Sequence, residues 1–446
     1  MASGPVGAWA ALSAEERQAR IAAAWVAPPD PGDADGVMRA LTDGWCSSAR
    51  RVVVELDNGA ARRRLLGLIG GARARVWLQT YIFEADAVGH AVVDALLAAA
   101  ARGVAVRVLV DALYSLHGAM GQRNPALARL TGAGVELLVI RPFGVPGLDD
   151  LKRRDHRKFL VVDDAVGWVT GRNVGAPYYT GFDEVRLSPE SSYREVPWLD
   201  AGAEVEGPVV AGLSRAFARH WAAAGGGALG APVVEEGAGA IKTWLVLHES
   251  MGDTRTLDAF RRLIETARER LVVVNTFPLQ FELQRALQAA LARGVRVRYL
   301  VGHVRPLFGE AGTPFRGGAI RSLATEVIHG RLDALIAAGA EARGFALRAV
   351  PGWDPALGTV RPHVHAKLLS VDGRVFAVGS ANLDISAGYW ESEALLIVED
   401  AGETARVDAA LDRLLDAGVP IAEGPRWAET AVLRTTISRH WPSLLG

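Results

Sequence analysis

The chain has 446 residues, 50% of them hydrophobic and 22% charged, with a formal net charge of −1. That is enough apolar material for a large buried core in two or three domains, and it excludes a disordered chain. The near-zero charge excludes a whole-protein attraction to nucleic acid or anionic lipid, and the lone Cys46 excludes an internal disulfide or a cysteine-based metal site.

The N-terminal stretch MASGPVGAWAALSAEERQAR lacks a basic region followed by an apolar run, so no signal peptide is expected. Residues 1–50 read as an extension, helical over Ser13–Val26 and broken by APPDPGDADG. A first strand is predicted at Arg75–Phe83, then an apolar helix at Ala91–Ala101, an Arg-Gly stop, and a second strand ending at Val110. The apolar run contains Asp94 and is too short to span a membrane. Residues 225–239 (GGGALGAPVVEEGAG) read as a linker. The same order then returns: a strand at Arg270–Phe277, a helix at Leu283–Ala292, Arg-Gly, and a strand ending at Val301. Strand–helix–strand twice over is an internal duplication of βαβ units. The divisions expected are 1–50, 51–224, 225–239 and 240–446. The second copy carries an insertion within Val304–Val360, rich in Pro and Gly, which reads as a substrate-shaping loop.

Each copy ends in one motif. The first is His156-Arg-Lys158-Phe-Leu-Val-Val-Asp163, followed by Gly171-Arg172-Asn173; the second is His365-Ala-Lys367-Leu-Leu-Ser-Val-Asp372, followed by Gly379-Ser380-Ala381-Asn382. Glu184 and Glu393 lie at the same spacing beyond the two Asn residues. Among 49 basic residues the lysines are Lys152, Lys158, Lys242 and Lys367, so two of four sit inside the motifs. Where Lys is kept in an Arg-rich chain, a compact ammonium is called for. Period-two alternation places His and Lys on one face of a strand.

These residue types suit phosphodiester chemistry. A neutral imidazole can attack phosphorus and divide one hard displacement into two. A second, protonated imidazole can donate to the leaving alkoxide and then accept from the incoming hydroxyl. Lys158, Lys367 and the amides of Asn173 and Asn382 can bind the non-bridging oxygens, with Ser380 beside them. Glu184 and Glu393 are expected to orient the histidines through their far nitrogens.

A lone His in an apolar strand is usually structural, but with roughly 0.005 matches expected by chance, two copies of the motif argue for function. For Asp163 and Asp372, capping a turn competes evenly with touching substrate. His363-x-His365 lacks the further ligands of a zinc site, so no metal is expected.

The paired motifs resemble the phospholipase D superfamily over nearly the whole chain after residue 50. Within it the sequence is similar to the bacterial cardiolipin synthase branch, on Tyr81–Gly89 (YIFEADAVG), RGVAVRVLVDA, RRDHRKFLVVD, Trp198-Leu-Asp200, Glu206-Gly-Pro208 and Phe217-x3-Trp221. The resemblance implies an α/β fold: two similar α/β/α sandwich domains with mixed sheets, related by a pseudo-twofold. It implies one active site at their interface and no cofactor. By analogy His156 is the nucleophile and His365 the acid/base, with the reverse left open by the near symmetry. Three departures stand out: no N-terminal membrane helices, Gly171 where the pattern has Ser, and Ser386-Ala387 where Arg-Ser is common.

The leading function is phosphatidyl transfer or hydrolysis on phospholipids through a phosphohistidine, cardiolipin synthesis included. Arg153, Arg154 and Arg157 are candidates to meet lipid headgroups, against a reading as a solvated strand end. A nuclease-type phosphodiesterase is disfavoured by the absence of a basic, aromatic-interleaved stripe, so no nucleic acid is expected. A catalytically silent binding protein is disfavoured by intact His and Lys in both copies. No protein partner is evident. A cytoplasmic protein with peripheral contact with a membrane surface is expected.

Overall fold

The computed structural model describes residues 46–112, 124–140, 152–233, 239–250, 253–348, 350–422, 427–428 and 430–440. The helix expected at Ser13–Val26 lies outside them. The chain enters through two short strands, β1 (Cys46–Ala49) and β2 (Arg51–Glu55). Then come α1 (Asn58–Gly71), β3 (Arg75–Thr80), α2 (Ala87–Ala101), β4 (Ala105–Asp111), α3 (Pro125–Gly132) and β5 (Glu136–Ile140). Asp57, Asp86 and Asn124 cap the three helices by accepting backbone N–H groups. The Arg-Gly stop works as expected: Gly103 ends α2 at φ 87° and Val104 N–H closes back on Ala99 O. After β6 (Phe159–Val162) and β7 (Val166–Thr170) come the short α4 (Ala176–Tyr179), β8 (Gly202–Glu206) and α5 (Val210–Ala223).

The second half repeats this plan. It runs β9 (Ile241–Glu249), α6 (Arg255–Thr266), β10 (Arg270–Val274), α7 (Phe281–Ala292) and β11 (Arg296–Val301). Gly294 stops α7 at φ 88°, matching Gly103. The insertion follows as β12 (Leu307–Phe308), β13 (Thr313–Pro314), α8 (Ala319–Ala337), then β14 (Glu341–Gly344), β15 (Leu347–Arg348) and β16 (Thr359–Arg361). The chain closes with β17 (Leu368–Val371), β18 (Val375–Gly379), β19 (Ser392–Glu399), α9 (Ala401–Ala417), β20 (Val419–Pro420) and α10 (Ala431–His440).

The first sheet has the order β2-β8-β7-β6-β3-β4-β5 and the second β1-β9-β19-β18-β17-β10-β11-β14-β20. Seven strands correspond one to one. In each sheet the three βαβ strands run parallel and the rest antiparallel, so both sheets are mixed. The second gains β20 at one edge and, at the other, β1 from ahead of the first half's own strands, which pairs with β9. Three apolar cores alternate with the sheets. One lies between the first sheet and α1–α3, built on Leu65, Val92, Leu96 and Leu127. One lies between the second sheet and α6–α8, built on Phe260, Leu287, Tyr299 and Leu332. The third is shared: Phe159, Val169, Phe217 and Trp221 of the first half pack with Leu245, Val274, Leu368 and Leu411 of the second. Each large side chain buried there contributes about 1.5–3 kcal/mol, so the two halves are held as one body.

The insertion is more ordered than its Pro/Gly content suggests. It forms the 19-residue α8 and a small sheet of order β13-β12-β16-β15. Its apolar side chains Phe315, Trp353, Leu357 and Val360 make a satellite core with Leu187 and Val196 of the first half. Trp353 Nε1 donates to Phe182 O at 3.0 Å. Among the described residues no helix is long and apolar enough to cross a membrane.

Candidate active site

Each motif lies just before and along a central strand, and each His segment is stitched to the other half. His156 N–H donates to Ser392 O at 2.9 Å, and His365 N–H donates to Leu199 O at 2.7 Å. These two bonds are images of each other, so Ser392 corresponds to Leu199 and Glu393 to Asp200. The side chains obey the same exchange. His156 Nδ1 is 2.8 Å from Glu393 Oε1, and His365 Nδ1 is 2.7 Å from Asp200 Oδ2. Each histidine is therefore oriented by a carboxylate from the opposite half. A ring that donates Nδ1–H to a carboxylate presents a bare Nε2. Both rings are buried, at 6% and 5% exposure, with Tyr81 edge-on to His156, Tyr178 edge-on to His365 and Trp198 tilted against His365.

Lys158 Nζ bonds the carbonyl of His156 at 2.5 Å, and Lys367 Nζ bonds the carbonyl of His365. The ammoniums rest on the rings of Tyr81 and Phe277. Burial pulls Lys158 down to about 7 and Lys367 to about 8, and the charge of Lys367 adds to the lowering of Lys158. Both histidines are pulled down to about 3, chiefly by burial, with Lys158 and Lys367 as the nearest opposing charges. Both rings are thus neutral at pH 7. Their carboxylates differ. Asp200 is held at about 2, because His365, Lys367 and Arg172 outweigh the burial that would raise it. Glu393 is pushed up to about 8 by burial, which outweighs Lys158 and the Ser380 hydroxyl.

Several expected sites take other roles. Glu184 does not orient a histidine: it is bound to Arg62 at 2.6 Å and 2.8 Å and accepts Gly181 N–H. The carboxylate at His365 is Asp200, because a loop and short helix over residues 176–199 intervene in the first copy and upset equal spacing. Asp163 and Asp372 lie at the far ends of β6 and β17, on the order of 15 Å along the strand from the lysines. Asp163 accepts N–H groups of Arg73, Ala74 and Arg75; Asp372 accepts those of Arg268, Glu269 and Arg270. Their φ values of 55° and 52° explain Asp, which tolerates the left-handed region. Both carboxylates lock a turn, away from the histidines and lysines.

Ser380, expected to bind phosphate, donates to Glu393 and accepts Ala394 N–H. Its counterpart Gly171 is explained: a Cβ there would lie 2.4 Å from Asp200 Oδ1. The shorter Asp200 sits closer in, and Ala201 N–H at 2.7 Å replaces the missing hydroxyl. Asn173 accepts Ile82 N–H at 3.1 Å, whereas Asn382 Oδ1 has no hydrogen-bond partner among the described residues. Arg154 and Arg157 are not lipid-facing. Arg154 pairs with Asp111, and Arg157 with Asp155 and Glu249, both guanidiniums being buried; Arg153 alone of the three is exposed. His363 packs on the Trp198 ring at 4.7 Å. His156, Glu391 and Glu393 bring nitrogen and oxygen atoms within 4.8 Å of one another. The hydrogen bond from His156 to Glu393 accounts for one of these approaches, and Glu391 lies 3.8 Å from Nδ1 as a second carboxyl on the same nitrogen.

The comparisons agree with this geometry. The family described as "Cardiolipin synthase, PLD-like domain" matches residues 65–192 and 260–415, one segment in each half. Cardiolipin synthase A of Pseudomonas aeruginosa is 28% identical over 366 residues, covering 81% of this chain and 66% of that protein. A probable cardiolipin synthase of Bacillus subtilis is 25% identical over 346 residues, covering 74% of this chain and 59% of that protein. The chain therefore spans about two thirds or less of the length of these relatives. The crystal structure of phosphatidylserine synthase from Haemophilus influenzae Rd KW20 has the same fold. It superposes with a TM-score of 0.65 at 14% identity, covering 92% of this chain and 99% of that one. With both halves matched and both motifs meeting in one site, the chain belongs to the phospholipase D superfamily, in its cardiolipin synthase-like branch.

Proposed function

We propose that the protein is a phosphatidyltransferase acting on phospholipids in the manner of a cardiolipin synthase, through a phosphohistidine. The observation that carries this reading is the crossed pair of Nδ1–carboxylate hydrogen bonds, which leaves two imidazole Nε2 atoms and two lysines in one buried site. His156 Nε2 attacks phosphorus and the bond from phosphorus to the headgroup oxygen breaks. His365, protonated, gives its proton to the departing alkoxide. A bound phosphodiester anion supplies the negative charge that favours imidazolium at His365, with the ionised Asp200 behind it. Lys158 and Lys367 neutralise the charge that builds on the non-bridging oxygens. In the second half-reaction His365 takes the proton of an acceptor alcohol, the new oxygen–phosphorus bond forms, and the bond to Nε2 breaks. Water in place of the alcohol turns the same steps into hydrolysis.

The test is incubation with phosphatidylglycerol, with phosphatidylcholine, and with a bis-ester nucleotide analogue, without added metal, following products by mass. Cardiolipin plus glycerol is the expected result. Phosphatidic acid would identify a hydrolase and nucleotide products a nuclease-type enzyme. Activity that survives both His156→Ala and His365→Ala would sink the mechanism.

A further inference from the structure

The correspondence between halves pairs Glu391 with Trp198, each standing two residues before the carboxylate that holds a histidine. The pair is chemically unlike. Trp198 lays its ring against His365, with centroids 5.8 Å apart. Glu391 instead brings Oε2 to 3.8 Å from His156 Nδ1, with its side chain 17% exposed. The charges near the two rings therefore differ. Both feel Lys158 and Lys367. Beside them, His365 has the ionised Asp200, whereas His156 has two carboxyls that burial pushes up, Glu393 and Glu391. Asp384 adds a further buried carboxylate on that side, and Lys152 lies within electrostatic reach of Asp384 and Glu391.

The ring that carries the phosphoryl group has a special need. When Nε2 bonds phosphorus and Nδ1 keeps its hydrogen, the imidazole becomes cationic and stays so for the life of the intermediate. The acid/base ring is charged only while it holds the transferred proton. A second carboxylate is useful beside the first ring and dispensable beside the second. Burial and the neighbouring carboxylates Glu393 and Asp384 lift Glu391 to about 7, while His156 draws it down, so the group is poised to ionise as the ring gains charge.

We infer that Glu391 is a positioning residue for His156: its carboxylate, beside Nδ1, stabilises the positive charge of the phosphohistidine ring. This rests on the phosphohistidine reading above. The test is single-turnover formation of the covalent intermediate from a soluble short-chain phosphatidyl p-nitrophenol, whose leaving group needs no proton. Glu391→Gln should slow intermediate formation about tenfold with KM within about twofold, and Glu391→Asp should recover part of the rate. An unchanged rate in Glu391→Gln, or a loss confined to KM, overturns the inference. A second arm uses the wild-type protein alone. Phosphorus and nitrogen NMR of the trapped intermediate should find the His156 ring protonated at Nδ1 at pH 7, and a neutral ring there overturns it. If the wild type yields no covalent intermediate at all, the phosphohistidine reading itself fails, a different result from a wild-type-like Glu391→Gln.

Discussion

The His156 and His365 half-sites share one backbone plan and differ in their surroundings. Around His365 stand one firmly ionised carboxylate and a wall of rings, Tyr178, Trp198 and Phe277. Around His156 stand two carboxylates held above their usual range, with Tyr81. A duplicated fold supplies two equivalent positions, and the strands that follow each motif decide what each position is good for. On the proposed mechanism, a fixed anion favours the imidazolium that His365 must form, and the two carboxyls beside His156 face the ring that carries phosphorus.

The comparison is broken most severely at the rings. His156→Ala should abolish turnover by at least about 10⁴-fold and leave no covalent intermediate. His365→Ala should lose natural turnover to a similar degree yet still form the intermediate from a p-nitrophenyl ester, measured by quenched-flow mass analysis. Equal behaviour of the two variants on that ester would erase the distinction. Next come the orienting carboxylates: Asp200→Asn and Glu393→Gln should each cost about 10–100-fold in kcat. A smaller effect concerns stability. Asp163→Ala removes the acceptor of three backbone N–H groups and places Ala at positive φ, and should cost roughly 2 kcal/mol in urea denaturation with little change in kcat. Asp372→Ala should match it, since the two turns are equivalent.

Stability against pH sharpens the contrast. Glu393 keeps its proton in the folded chain up to about 8, above the ordinary 4.5. The unfolded chain releases that proton earlier, so this contribution to stability falls as pH rises from about 4.5 to about 8. Asp200 is depressed from 3.8 to about 2, so its contribution is present above about pH 4 and is lost as pH falls through 2. Between pH 5 and 8 the urea midpoint of Glu393→Gln should therefore gain on wild type, while that of Asp200→Asn should run parallel to it. The smallest expected effect is Glu184→Gln: the lost pair with Arg62 is near the surface and worth about 0–1 kcal/mol, and kcat should stay within about threefold.

Much of this was legible in residue order. The strands expected to begin at Arg75 and Arg270 do begin there, and the Arg-Gly stops end both helices where expected. The strands end early, at Thr80 and Val274, because the chain turns to set Tyr81 and Phe277 beside the lysines. The crossed carboxylates were not legible from spacing. In the second copy Glu393 follows Asn382 almost directly on the next strand. In the first copy a detour holding α4 and a satellite-core loop delays Asp200, and Glu184 falls by coincidence at the matching offset. The available signal was Asp200 itself, just before a strand, as Glu393 opens β19. The arginines near His156 misled because charge in a sequence does not reveal burial. Asp111, Asp155 and Glu249 come from distant segments to pair with them.

The strand Cys46–Ala49 ties the order of synthesis to the order of folding. It belongs to the second sheet, yet it is made before every other described strand and must wait for β9, with Ser48 accepting Gly239 N–H across 191 residues. Its pairing closes a loop that holds the entire first half, with the entropy cost of that length. A break in the chain between Gly225 and Gly239 would leave β1 on the fragment that lacks its partner β9.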